Sequence, residues 1–223
     1  MSRKATRGIL EFVGSLKRYP QISAFIIAGG ASSRMGRVKG LLEIAGEPLI
    51  VRTARMIAPL VTDVAIVGSP ELYAGTGLRK LADRIVHSAD GMGPVQTPLA
   101  GIVTALHATS APWNLILACD LPYLTADWVD WLLARALASH AQIVIPRNSR
   151  GLEPLAAAYR RECATPLIDA LERGIRKVTD AIAELPIEEL PESDWSKFDP
   201  LGRVLKNMNT PSDYDTARNS LES

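Results

Sequence analysis

Residues 22–42 read ISAFIIAGGASSRMGRVKGLL, and this stretch decides the fold. It opens on an apolar run, Ile22 to Ala28, too brief for a membrane span and the right length for a buried strand. Gly29 and Gly30 follow at once. Glycine reaches backbone angles closed to other residues and exposes its amide at close range. Arg34 and Lys39 then set two cations beyond the strand end. Exposed N–H groups form a concave anion site, and an Arg and a Lys add fixed positive charge. The pattern predicts a strand-to-loop turn that holds phosphates. It is not a P-loop, because Lys39 is followed by Gly40 rather than Ser or Thr. Nor is it the dinucleotide fingerprint, because Gly29 and Gly30 are adjacent. A tight turn flanked by solvated cations is the competing explanation.

Further along, Val64–Val67, Leu115–Ala118 and Ile143–Ile145 read as buried strands. Between them, Leu49, Ile50, Thr53, Met56, Ile57 and Leu60 recur at helical spacing. Pro98–Ala108 and Ala126–Ser139, the latter capped by Thr125, also read as helices. Strands alternating with helices predict an α/β, Rossmann-like three-layer fold with a mostly parallel central sheet. Less regular segments predict a helix over Glu71–Leu81, strands over Ile85–His87 and Leu155–Tyr159, helices over Arg161–Glu172 and Lys177–Glu184, a late strand over Val204–Met208 and a closing helix over Asp213–Asn219. No linker divides 22–223, which reads as a single domain. Residues 1–21 read as a basic extension, with Arg3, Lys4, Arg7, Lys17 and Arg18 against Glu11, expected to fray or dock on the surface.

The net charge of the 223-residue chain is +1, so no bulk field recruits nucleic acid or an acidic membrane, and any anion site must be local. The two cysteines, Cys119 and Cys163, form neither a zinc pattern nor a disulfide framework, and a reducing cytoplasm is expected. Asp120 directly follows the Leu115–Ala118 run. Ligands of open parallel sheets gather at the carboxyl ends of strands, which puts Asp120 on the same edge as Gly29 and Gly30. Magnesium binds through one or two carboxylates plus substrate phosphates, and Asp120 is the candidate ligand; capping of the Leu121-Pro122 turn is the alternative. No Ser-His-Asp or Cys-His arrangement is evident, and His87, His107 and His140 read as structural or surface residues.

Ala28-Gly29-Gly30, then Arg34-Met35-Gly36, then Lys39 together resemble the signature of the MobA-like nucleotidyltransferases, and within them the molybdenum cofactor guanylyltransferases. Cys119-Asp120-Leu121-Pro122-Tyr123 resembles the CD-x-P-F segment of that family. Thr97-Pro98-Leu99-Ala100-Gly101-Ile102 resembles its GPLAGI block, with Thr97 in place of glycine. Glu153-Pro154-Leu155-Ala156 with Tyr159 resembles PL-x-A-x-Y, Gly174–Val178 is similar to a G-x-R-K stretch, and Asn207–Asp213 resembles N-x-N-T-P-x-D. The blocks occur in the family's order over Ile22–Ala217.

The resemblance implies a magnesium-dependent transfer of GMP from GTP to molybdopterin. It implies nucleotide contacts at Ile27, Ala28, Gly29, Gly30, Lys39, Ser69, Asp90 and Asp120, with Arg34, Lys39 and Asp120 as the catalytic set and Asp120 as the metal ligand. It implies acceptor contacts at Arg176, Lys177, Asn207 and Asn209. Asn207 and Asn209, alternating along the expected strand, would share one face. Transient contact with molybdoenzymes or cofactor-delivery proteins is implied, and no nucleic acid or membrane. Charge and spacing do not choose between GTP and CTP, or between a pterin and a sugar or alcohol phosphate. A non-catalytic nucleotide-binding protein that delivers a cofactor is the reading from another class. A redox protein is disfavoured by the glycine spacing.

Overall fold

The computed structural model describes residues 19–29, 38–82 and 97–222. Gly30, Arg34, Asp90, the strand expected over Ile85–His87 and residues 1–18 lie outside them. In chain order the strands are β1 (Tyr19–Ala28), β2 (Glu43–Ile44), β3 (Glu47–Pro48), β4 (Val61–Gly68), β5 (Arg79–Ala82), β6 (Trp113–Ala118), β7 (Ile143–Asn148), β8 (Gly151–Leu152), β9 (Ala156–Arg160) and β10 (Ile187–Pro191). The helices are α1 (Leu49–Ile57), α2 (Pro98–His107), α3 (Ala126–Ala138), α4 (Ala164–Glu172), α5 (Val178–Ala181), α6 (Glu192–Trp195) and α7 (Pro211–Glu222).

The main sheet runs β10-β7-β9-β6-β1-β4-β5, with β8 appended to β7. β1 lies parallel to both β4 and β6, β5 is parallel to β4, and β10 is parallel to β7. β9 is inserted between β6 and β7 and is antiparallel to both, and the short β8 is antiparallel to β7. Alternation along β1 explains why its residues are apolar on both sides. Ile22, Ala24 and Ile26 pack under α1 and α3, with Ile50, Ile57, Trp128 and Leu132. Phe25 and Ile27 pack against α2 and α4, with Leu99, Val103 and Leu167. The result is a three-layer sandwich with a core on each face of the sheet.

Three parallel strand ends meet on one edge. Ile27 is level with Ala118 of β6, and Ala28 is level with Gly68 of β4. The Cys119 amide donates to the Ile27 carbonyl at 3.1 Å, so the chain leaving β6 runs beside the chain leaving β1. Opposite, α2 starts on Thr97, whose side chain accepts from the Ala100 amide at 3.2 Å. The threonine that replaces a glycine of the family block is thus an N-cap. Thr97→Ala should cost about 1 kcal/mol, read as a fall of about 2–4 °C in Tm.

Several boundaries differ from the sequence reading. β1 begins at Tyr19, so Tyr19, Pro20 and Gln21 belong to the sheet rather than to the extension; the Tyr19 hydroxyl donates to Asp130 Oδ1 of α3 at 2.8 Å. Pro70–Thr76 is a 3-10 turn rather than the start of a long helix. Gly77, at φ 71° in the left-handed region, ends it and frees Arg79–Ala82 to pair with β4. The helix expected over Lys177–Glu184 is confined to α5. Val204–Met208 is not a strand. The Asp199 carboxylate accepts from the Arg203 and Val204 amides at 2.8 and 2.9 Å, and the Lys206 and Met208 amides go to the Arg203 and Asp120 carbonyls at 2.8 and 2.9 Å. Val204, Leu205 and Met208 are buried anchors of an irregular segment.

Candidate active site

The carboxyl edge gathers side chains that are far apart in sequence. Lys39 opens a short 3-10 turn, Lys39–Leu41, and its Nζ donates to Asp120 Oδ2 at 2.9 Å. The same ammonium donates to Asn209 Oδ1 at 2.6 Å. Asn207 Nδ2 donates to the other Asp120 oxygen, Oδ1, at 2.9 Å, and the Met208 amide donates to the Asp120 carbonyl at 2.9 Å. Asp120 is therefore held on all sides: by its strand end, by the irregular 207–209 segment and by Lys39. Asn207 and Asn209 converge on the Lys39–Asp120 pair, but through an irregular backbone rather than the strand that the alternation argument assumed.

The turn itself is braced from beneath. Tyr73, fully buried after β4, donates from its hydroxyl to the Ala28 carbonyl at 3.4 Å. A Cβ on Gly40 would lie 3.3 Å from the Tyr73 ring, so Gly40 is what lets the Lys39 turn rest on that ring. Burial, with the Cys119 sulfur adding, pushes the Tyr73 phenol well above its usual range and keeps it a donor. Sequence reasoning missed Tyr73. A single aromatic in a glycine-flanked turn carries no signal of what lies above it. Gly29 sits exposed at the strand end, and half-buried Ser69 follows Gly68 beside it.

Not every expected residue joins this network. The Arg176 guanidinium donates from Nη1 to the Leu171 and Ile175 carbonyls at 2.8 and 3.1 Å, which satisfies the C-terminus of α4. Lys177 pairs with Asp180 at 3.5 Å, and both are largely exposed. His140 is exposed.

The donor set can be tested against a magnesium ion. Among the described residues no group of three or more His, Cys, Asp or Glu side chains could hold a metal, so a cage made of protein alone is absent there. Magnesium does not need one, because substrate phosphates and water complete its shell. Each Asp120 oxygen accepts one hydrogen bond and keeps lone-pair capacity for a cation. The neighbouring Cys119 thiol is pushed up to about 12 by burial, with the Asp120 charge adding and Lys39 opposing. It stays protonated and offers no soft thiolate. A hard carboxylate beside a lysine at the strand ends fits magnesium.

A mostly parallel sheet whose strand ends bring a glycine turn, a lysine and an aspartate together is the architecture of a nucleotidyltransferase of the nucleotide-diphospho-sugar transferase type. The comparisons agree. The MobA-like NTP transferase domain matches residues 24–186, and the chain belongs to that family. A Synechococcus elongatus protein named probable molybdenum cofactor guanylyltransferase is 37% identical over 196 residues, covering 86% of this chain and 95% of its own. A Pseudomonas putida protein named molybdenum cofactor guanylyltransferase is 31% identical over 195 residues, covering 86% and 95%. Among solved structures, molybdopterin-guanine dinucleotide biosynthesis protein A of Archaeoglobus fulgidus superposes with a TM-score of 0.76 at 23% identity, covering 90% of this chain and 98% of that one. The 2-C-methyl-D-erythritol 4-phosphate cytidylyltransferase of Thermus thermophilus shares the fold, with a TM-score of 0.63 at 15% identity and coverage of 90% and 98%.

Proposed function

We propose that this protein is a molybdenum cofactor guanylyltransferase that moves GMP from GTP to the terminal phosphate of molybdopterin and releases pyrophosphate. The observation that carries the reading is the 2.9 Å contact of Lys39 with Asp120 at the strand ends that also present Ala28 and Gly29. The names of the relatives support the choice of substrates.

An oxygen of the acceptor phosphate attacks the α-phosphorus of GTP in line. A new P–O–P bond forms, the α–β bridge breaks, and pyrophosphate leaves with the electron pair. Little covalent work falls to the protein, so positioning and charge do the catalysis. The glycine turn at Ile27, Ala28, Gly29 and Gly30 offers backbone to the nucleotide, with Ser69 and Asp90 as further contacts. Lys39, with Arg34, neutralises charge on the departing pyrophosphate. Asp120 would hold a magnesium ion, and the chemistry magnesium would supply when bound is Lewis-acid polarisation of phosphoryl oxygens. Asn207 and Asn209 meet the acceptor beside Asp120, whereas an acceptor role for Arg176 and Lys177, which stand outside that network, is supported by the motif resemblance alone. The setting is the cytoplasm, where the product passes to molybdoenzymes or delivery proteins. No helix among the described residues is long and apolar enough to cross a membrane.

The reading is tested by incubating the protein with magnesium, GTP and molybdopterin and measuring pyrophosphate. Release at background level would sink it. A nucleotide panel tests the base. GTP at a hundredfold excess over its Kd should raise Tm by about 5–10 °C, while CTP at the same concentration should not.

A further inference from the structure

We infer that Asp213 is a positioning residue for Lys39, acting through Asn209. The inference rests on the reading of Lys39 as a triphosphate ligand and adds a residue to that site. Asp213 lies in the first turn of α7. One of its oxygens, Oδ2, accepts from the Asn209 amide at 3.1 Å, the Thr210 amide at 2.9 Å and the Thr210 hydroxyl at 2.8 Å. The Asp213 amide in turn donates to Thr210 Oγ1 at 3.1 Å.

The bonds to Thr210 are those of a reciprocal helix cap, which satisfies the start of α7 without further help. The bond to the Asn209 amide is additional to that cap. Asn209 is the residue whose Oδ1 accepts from Lys39 Nζ at 2.6 Å. Asn209 is itself exposed, so neighbouring packing does not fix its side chain. What fixes its backbone is Asp213 on one side and Met208 on the other, the latter buried and bonded to the Asp120 carbonyl. The path from Asp213 to Asn209 to Lys39 is thus a chain of hydrogen bonds ending on the ammonium.

The rest of α7 makes this anchor rigid. The Tyr214 hydroxyl donates to the Glu43 carbonyl at 2.8 Å, and Glu222 Oε1 accepts from the Ala45 amide at 2.8 Å. Ala217 packs with Leu42, Ile44, Leu49, Tyr123 and Met208. The helix therefore clamps the β2–β3 hairpin, a few residues beyond Lys39, while its first turn holds Asn209. Lys39 spends two of its three donors on Asp120 and Asn209. It keeps the third for a phosphate oxygen, with its position already set. The bonds from Thr210 and Asn209 also hold the Asp213 carboxyl below its ordinary range, as expected of an acceptor that stays ionised.

The test uses the full chain, with calorimetric Kd values for magnesium GTP and for inorganic tripolyphosphate with magnesium. The second probe carries no base. Asp213→Ala should weaken both by about tenfold, the worth of one charge-assisted hydrogen bond. All three donors go to one oxygen, so Asp213→Asn keeps the acceptor and should restore most of the affinity. In an Asn209→Ala background, Asp213→Ala should add no further loss. Tyr214→Phe, which releases the hairpin from α7 but keeps every Asp213 bond, should lower Tm and weaken both Kd values less than Asp213→Ala does. In the ligand-free protein, NMR of the Asn209 side-chain amide should show an ordered signal in the wild type and in Asp213→Asn and an averaged one in Asp213→Ala. An unchanged Asn209 signal in Asp213→Ala, unchanged Kd values, or fully additive losses in the double variant would overturn the inference. A wild type that binds neither probe yet shows the expected Asn209 signals would count against the nucleotidyltransferase reading and leave the positioning role of Asp213 supported.

Discussion

Asp120→Ala is expected to lower kcat/KM for pyrophosphate release on the order of 10³-fold while the protein stays folded. The size follows from what the carboxylate does. Among the described residues it is the carboxylate that both Lys39 and Asn207 bond directly. Removing one fixed electrostatic partner of a transition state commonly costs 10²–10³ in rate, roughly 3–4 kcal/mol. Losing the counter-charge for a divalent ion takes it to the upper end or past it. The stability cost is smaller. The Lys39 and Asp120 side chains are 19% and 13% exposed, so the pair is mostly buried, and removing one partner leaves Lys39 and Asn207 each short of an acceptor. The loss is about 1–3 kcal/mol, or about 2–12 °C in Tm for a chain of this size. Asp120→Asn sharpens the result. It keeps an acceptor for Lys39 and loses only the negative charge, so it should be nearly as slow as the alanine variant. Circular dichroism and a thermal melt establish the fold, and a coupled pyrophosphate assay gives the rate. An asparagine variant near wild-type rate would demote Asp120 to a turn residue.

The central strands were legible because each is buried on both faces and shows as an unbroken apolar run: Ile22–Ala28, Val64–Val67 and Leu115–Ala118. Their parallel order, with the carboxyl-end rule, was enough to bring Lys39 and Asp120 to one edge. The edge strands were not legible, since one side of each faces solvent. β10 carries Glu188 and Glu189 and ends in Pro191, and β5 starts with Arg79 and Lys80. Val204–Met208 failed in the opposite sense. Its apolar residues mimic a strand, but the Val204 amide goes to the Asp199 carboxylate, and the Lys206 and Met208 amides go to the Arg203 and Asp120 carbonyls instead of to a ladder. The convergence of Asn207 and Asn209 was expected from alternation along a strand and occurs through an irregular segment instead. Their bonds to Asp120 and Lys39 span 87 and 170 positions, a distance at which no local pattern operates. Tyr73 lay beyond reach for the same reason: its role depends on what the fold sets above it.

Gly68→Ala is expected to damage stability and nucleotide affinity together, because this glycine is where the packing of the sheet and the shape of the site are the same contact. A Cβ at Gly68 would stand 2.7 Å from the Ala28 carbonyl oxygen, 2.9 Å from its carbon and 3.2 Å from the Gly29 amide. All of these atoms are backbone, so no side chain can swing away to make room. Either β4 separates from β1 at its last paired residue or the Ala28–Gly29 turn shifts. Overpacking of this kind costs about 1–3 kcal/mol, which at this chain length lowers Tm by about 2–12 °C. The shift falls on the peptide proposed to meet the nucleotide and on the carbonyl that Tyr73 braces at 3.4 Å. The Kd for magnesium GTP should therefore rise by about tenfold, as for the loss of one positioned hydrogen bond. Gly75→Ala is the control. A Cβ there meets nothing within 4 Å, so both Tm and Kd should stay close to wild type. A Gly68→Ala protein that melts early but binds GTP normally would mean that the strand ends yield without moving the turn, and the nucleotide would then be held elsewhere than at Ala28 and Gly29.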